Sequence, residues 1–343
     1  MQHRITHPSK LLDKHGELIQ KGYATYPILE YNRENVARKL RLKEWDYYLI
    51  QNNNYFVALT VGTTPGIGII SASFIDLNNI RDRTKTIVRV FPCWRVKMPT
   101  SSESGDIIYR DSRVSAEFKY ADNVRLLNLE MKDFEAGMDF KASILLTDEP
   151  KDSMVIATPF KQSNKQFFYN RKIIGMRASG EVQYKGKVFR LSPDDSFGLL
   201  DWGRGVWPHK ATWYWSAAQG IINGNVFGFN LGYGFGDTSA ATENMLFYDG
   251  IASKLEKVVF IIPKNKSNQY EYLKPWIITS SDWRIEMCFN PIIDRSVNLN
   301  ALVLSTEQHQ VFGRFTGRAI LDDGKVIAVK DLLGFAERVE NRW

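Results

Sequence analysis

The chain has 343 residues, enough for two ordinary domains that each bury a core, and carries 45 Lys and Arg against 38 Asp and Glu, a formal net charge of +7. More than half of that excess lies in residues 1–45, where basic residues alternate with acids in "NRENVARKLRLKEWD"; this reads as a solvated face and argues against nucleic acid as a partner. No apolar leader and no apolar run of roughly 18 residues occurs, so neither secretion nor an integral membrane segment is indicated, and Cys93 and Cys288 match no metal or redox spacing, as expected of reduced thiols in a cytoplasmic protein.

In chain order, "GYATYPILEYN" alternates weakly around a proline and predicts an extended strap. "RENVARKL", near residue 36, is the best candidate for an amphipathic helix, and it is short. From there aromatic and β-branched runs separated by turn residues predict strand after strand. Trp45 to Gly62 reads as a hairpin. Further strands are expected at Gly68 to Asp76, Thr86 to Phe91, Arg113 to Tyr120, Val124 to Met131, Met138 to Leu146, Met154 to Phe160 and Phe167 to Met176. "GEVQYKGKVFRL" predicts a hairpin around Lys185 and Gly186. The polar stretch "LSPDDSFG", Leu191 to Gly198, is the expected seam, dividing the chain into 1–195 and 196–343. Beyond it come Val226 to Tyr233, Met245 to Tyr248, Lys257 to Ile262, Trp283 to Phe289, Val297 to Leu304, Val311 to Leu321 and Val326 to Asp331, the last two joined at "DDG". Many antiparallel strands with little helix predict an all-β protein of sandwiches or closed barrels, since closure removes exposed sheet edges.

The densest chemistry lies in "DWGRGVWPHKATWYWS", residues 201–216, which holds four of nine tryptophans. In a strand, "ATWYWS" sends Trp213 and Trp215 to one face and Tyr214 to the other. That double indole wall is either core packing or the lining of a ligand site. Upstream, "DWGRGVWPH" reads as a Gly-broken loop carrying Asp201, Trp202, Arg204, Trp207 and His209. Two arrangements are open: Asp201 and Arg204 pair and pin the junction, or Asp201 is buried against Trp202 and Trp213 and delivers a proton near neutral pH. "TENMLFYDG" adds Glu243 and Asn244 before a strand, with Lys254 as a counter-charge; for Asn244 a strand-entry cap is the simpler role. The glycines of "GFNLGYGFGD" lack the following helix that a dinucleotide fingerprint needs. His209 and His309 share no ligand spacing. Neither a nucleotide nor a metal cofactor is therefore expected.

Five landmarks in order, "LLDKHGELIQKGYATYPILEYNR", "LRLKEWDYY", "DWGRGVWPHKATWYWSAAQG", "TENMLFYDG" and "GFAERVENRW", resemble an uncharacterised bacterial family, domain of unknown function 2804, over nearly the whole chain. More distantly the chain resembles the double-lipocalin group that includes carotenoid 1,2-hydratases and lipid-carrying survival factors. That resemblance implies two consecutive lipocalin-like β-barrels meeting near the central motif; it implies no reaction, because such barrels serve carriers and enzymes alike, and the hydratases' catalytic pattern cannot be placed on these residues.

Three functions fit. One is binding of an apolar or lipid-like small molecule in a barrel or between barrels, with Arg204, Trp202, Trp207, Trp213, Trp215, Asn244 and Lys254 as ligand contacts. The second is a lyase or isomerase of the hydratase kind, in which Asp201 or Glu243, with His209 in reserve, protonates an unsaturated lipophile and indole faces stabilise the cation. The third is glycan binding or hydrolysis, with Asp201 and Glu243 as paired carboxylates.

Overall fold

The computed structural model describes residues 2–91, 96–301 and 304–342, and for 300, 301 and 304 only the backbone. Cys93 lies outside the described residues; Cys288 is a half-buried free thiol. Among the described residues the protein is nearly all β, in two curled antiparallel sheets, and no helix is long and apolar enough to cross a membrane. "RENVARKL" forms two single 3-10 turns, Arg33–Asn35 and Lys39–Arg41, in place of the expected helix. Asn32 caps the first through its side chain to the Glu34 amide at 2.9 Å, and neither turn buries a residue, so no apolar face holds a longer helix together.

The main path of the first sheet runs Arg81–Val90, Ile67–Asp76, Tyr55–Thr64, Leu42–Gln51, Phe197–Val206, Ser163–Tyr184, Met138–Thr147, Val124–Glu135, Val114–Ala121 and Ile107–Arg110. The second runs Ile251–Lys254, Met245–Tyr248, Asn225–Tyr233, Lys210–Ile222, Val326–Arg342, Leu304–Ile320, Ile285–Ala301, Trp276–Ser280 and Val258–Ile261. The chain therefore crosses between sheets at 207–209, one strand later than the seam expected at Leu191–Gly198. "DWGRGV" is correspondingly no loop: it pairs residue for residue with Leu42–Gln51 on one side and Ser163–Tyr184 on the other. Its glycines serve close approach within a strand. A Cβ on Gly203 would stand 2.0 Å from the Trp45 ring.

Three buried clusters follow from side-chain alternation. One draws on strands from both ends of the first sheet, Phe74 and Ile87 together with Phe118 and Leu127, as the inside of a curled sheet must. Another, around Phe229, Trp276, Phe289 and Phe315, fills the second sheet. The third lies between the sheets and includes Phe56, Phe168, Trp207, Trp215, Phe312 and Phe335. The N-terminal segment is extended and tied to both sheets. Gly22–Ala24 pairs with Met154–Phe160, while the His3 amide donates to Ala240 O and the Gln2 side chain to Leu255 O, each at 2.8 Å.

Candidate functional site

The cavity between the sheets is built by alternation. In Leu42–Gln51, Glu44, Asp46 and Tyr48 turn into the first barrel, leaving Trp45 and Tyr47 to face the second sheet. From the opposite side Trp213 and Trp215 face back while Tyr214 packs into the second barrel, the split expected of "ATWYWS". They enclose, with Phe168, Trp207 and Phe235, a cavity of about 470 Å3. The rings interlock: Trp207 lies edge-on to Trp213 at 5.2 Å and to Trp45 at 6.0 Å, and Phe168 stacks on Phe235 at 4.9 Å. These edge-to-face and stacked contacts tie the rings of the two sheets to one another around the hollow.

Two hydrogen-bonded clusters break the apolar lining, besides Lys43, Glu44, Gln308 and Asn341. The first centres on Lys172, whose side chain is 1% exposed. Its ammonium lies 4.2 Å from the Trp215 ring centroid, 3.2 Å from Glu243 Oε2 and 3.9 Å from Asp201 Oδ1. Asp201 Oδ1 also accepts from Asn170 Nδ2 at 2.5 Å. Burial raises the Glu243 carboxyl above its ordinary range, against the pull of Lys172. The carboxyl fits only because residue 232 is glycine, where a Cβ would stand 2.3 Å from Glu243 Oε1.

The second group is centred on Glu337. Its Oε1 accepts from Trp213 Nε1 at 3.0 Å and its Oε2 from Gln310 Nε2 at 3.1 Å. Burial pushes the carboxyl up to about 7, although the Trp213 hydrogen bond and the charges of Arg295 and Lys172 oppose it. At neutral pH this acid is poised between its two forms. Gln310 is held in turn by Arg295, which donates to its Oε1 and, across the seam, to Ser73 Oγ at 2.6 Å.

The residues singled out from the sequence divide. Asp201, Trp207, Trp213 and Trp215 line the cavity, and Glu243 lies behind Lys172. Arg204 does not pair with Asp201, because residues of opposite parity in one strand face opposite ways. It is fully buried in the first barrel, donating to Asp46 Oδ1 at 3.0 Å and Pro99 O at 2.8 Å, its guanidinium carbon 4.0 Å from the Trp202 ring centroid. Trp202 shares that interior, edge-on to Tyr169. Both are therefore remote from the inter-sheet cavity.

His209 is exposed at the crossover and does not line the cavity. Asn244 joins strand ends, accepting from the Gly232 amide at 2.7 Å and donating to Glu256 O at 2.9 Å. Lys254 is spent on Thr242 Oγ1, Asn244 O and Leu255 O, each within 2.9 Å, and burial pushes its ammonium down to about 7. Asp201 and Glu243 are bridged by the Lys172 ammonium, which stands where a glycosidase would need room for a sugar.

Lys172, Glu337, Arg295 and Gln310 escape the sequence reading. The signal for Lys172 is a lysine inside the apolar run "FFYNRKIIGM"; for Glu337 it is a glutamate two residues after Phe335 in an alternating strand.

The fold recurs in known structures. A protein assigned as AttH from Nitrosomonas europaea superposes with a TM-score of 0.56 at 12% identity, over 92% of this chain and 96% of that one. CghA, in its structure with Sch210972, superposes with a TM-score of 0.53 at 11% identity over 88% of each chain. Kievitone hydratase from Nectria haematococca superposes with a TM-score of 0.47 at 11% identity over 88% of each chain. No curated protein matches the sequence. The sequence matches the model of the Domain of unknown function (DUF2804) over residues 2–343, and the chain belongs to that family.

Proposed function

We propose that the protein binds an apolar small molecule of medium size in the hollow between its two barrels. The observation that carries this reading is a cavity of about 470 Å3 walled by aromatic rings from both sheets, with two hydrogen-bonded polar clusters set into that wall. Small-molecule sites run from about 300 to 1,000 Å3 and share that balance of apolar wall and few polar anchors. Native mass spectrometry of protein purified without detergent tests it, with a co-purifying lipophile as the expected result. Loss of that species in Trp213→Ala would place it in the cavity; repeated absence of any adduct, together with unchanged tryptophan fluorescence on titration with apolar compounds, would defeat the reading.

A second reading, a lyase or isomerase acting on an unsaturated lipophile, is favoured by one observation: Glu337 sits against the indole wall with its carboxyl held near neutrality. Glu337 would add its proton to one alkene carbon, leaving the neighbouring cation against the indole of Trp213. Asp201 would then take a proton, either from an adjacent carbon to form a shifted alkene or from a water that adds to the cation. The acid role, assigned from sequence to Asp201 or Glu243, moves to Glu337, because Glu243 is engaged by Lys172 and does not line the cavity. Incubation of alkenes in deuterated water should give incorporation that falls about 100-fold or more in Glu337→Gln; incorporation indifferent to both Glu337→Gln and Asp201→Asn would remove this reading.

A further inference from the structure

Arg295, half-buried at the cavity wall, differs from the buried arginines of the fold. Arg89, Arg125, Arg171 and Arg204 each have a carboxylate within 4.0 Å. Arg295 lines the apolar cavity, and among the described residues no carboxylate comes that close to it. Its guanidinium is nevertheless fixed, by Ser73 Oγ at 2.6 Å from the first sheet and by Gln310 Oε1 from the second. Those two bonds leave three of its five N–H groups, in a planar fork suited to a two-oxygen acceptor.

The surrounding charges do not supply that acceptor. Asp82 acts on Arg295 from the exposed strand Arg81–Val90, and Glu337 acts on it from Val326–Arg342. Glu337 spends its oxygens on Trp213 and Gln310, and burial brings its carboxyl to about 7, which dilutes its charge at neutral pH. Of the other cavity cations, Lys172 is matched by Glu243 and Asp201, and burial with the neighbouring Arg41 pushes the Lys43 ammonium down to about 6. Among the described residues of the cavity, Arg295 is thus the permanent charge with no carboxylate within 4.0 Å. A guanidinium half-withdrawn from water and held in place at an apolar wall gains charge-assisted hydrogen bonds when an anion completes it.

We propose that the molecule held between the barrels is a lipophilic acid, its single carboxylate paired with Arg295 and its apolar body lying along Trp213, Trp207 and Trp45. This rests on the binding reading above and narrows it. A neutral hydrocarbon would fill the same hollow and leave the guanidinium unsatisfied.

Calorimetric titration near neutral pH with decanoate, decan-1-ol and decylamine separates the two levels of the claim. Decanoate is expected to bind at least about tenfold more tightly than the alcohol, about 1.4 kcal/mol, and the amine weakest. Arg295→Gln should erase the preference for decanoate and Arg295→Lys should retain most of it. Equal affinity for acid and alcohol in the native protein, or a preference that survives Arg295→Gln, would overturn the acid assignment and leave the binding reading standing. Failure of all three probes to bind would overturn both.

Discussion

Replacing Glu337 by glutamine gives a quantitative test of the site, because it removes the titration and keeps the shape. The carboxyl ionises near 7 in the folded protein against 4.5 for the free side chain. At about 1.4 kcal/mol per pH unit, that gap is worth roughly 3 kcal/mol. Burial holds the proton more tightly in the folded state, so native stability from this group is full below pH 4.5 and is lost as pH rises to about 7. The glutamine variant has no such loss. Its amide meets two donors, Trp213 Nε1 and Gln310 Nε2, where the ionised Glu337 offers two acceptors; this costs about 1 kcal/mol relative to the carboxylate, but little in acid, where the protonated carboxyl carries a donor of its own. Urea unfolding followed by circular dichroism from pH 4 to pH 9 should therefore show Glu337→Gln close to the native protein in acid and more stable by about 2 kcal/mol above pH 7. A difference that stays flat across this range, or that favours the variant only in acid, would refute the placement of a proton on Glu337.

Further outcomes are as definite. Trp213→Phe deletes a donor to Glu337 Oε1, so the carboxyl should titrate above its native value, read as an upward shift of the midpoint in the same pH series. Arg204→Met should destabilise by about 3–5 kcal/mol, measured by denaturant midpoint, because it strands Asp46 and part of the charge of Glu44 inside the first barrel; a small effect would contradict the structural role given to Arg204. Gly203→Ala forces the Trp45 ring aside, with an expected cost of about 1–3 kcal/mol and a change in tryptophan emission. Lys254→Met should remove the part of native stability that grows as pH rises above about 7, since a buried lysine with a lowered pKa favours the folded state only once it is neutral; urea midpoints in alkali decide it.

Period-two alternation makes most of the fold readable in advance. "ATWYWS" shows its two faces without any structure, and Val114–Ala121, Val124–Glu135 and Met138–Thr147 follow the same rule, while Tyr55–Thr64 and Met154–Phe160 are buried on both faces. The central "DWGRGV" misleads for a physical reason. Glycines usually mark turns, yet here Gly203 is small because an indole crosses it, a constraint set by Trp45, more than 150 positions away in the chain. The same blindness to distant partners hides the site's polar half. Trp213 is legible, but its partner Glu337 comes from a strand 124 residues on, and the Ser73 that steadies Arg295 is 222 residues away. Residue type and local spacing cannot say which of many carboxyls will share a dry space. They can say which strand positions face one.

The tethering of the N-terminal segment bears on how the molecule comes into being. His3 and Gln2 find their partners at Ala240, Thr242 and Leu255, and Leu42–Gln51 finds its neighbour only at Phe197–Val206. A ribosome makes these pieces far apart in time. The opening residues must wait for more than two-thirds of the polypeptide before they can settle, and the leading barrel stays unclosed through much of synthesis. Contacts of such long sequence separation slow folding, so the nascent chain has a prolonged interval with bare strand edges in which chaperone capture or misassociation competes with completion.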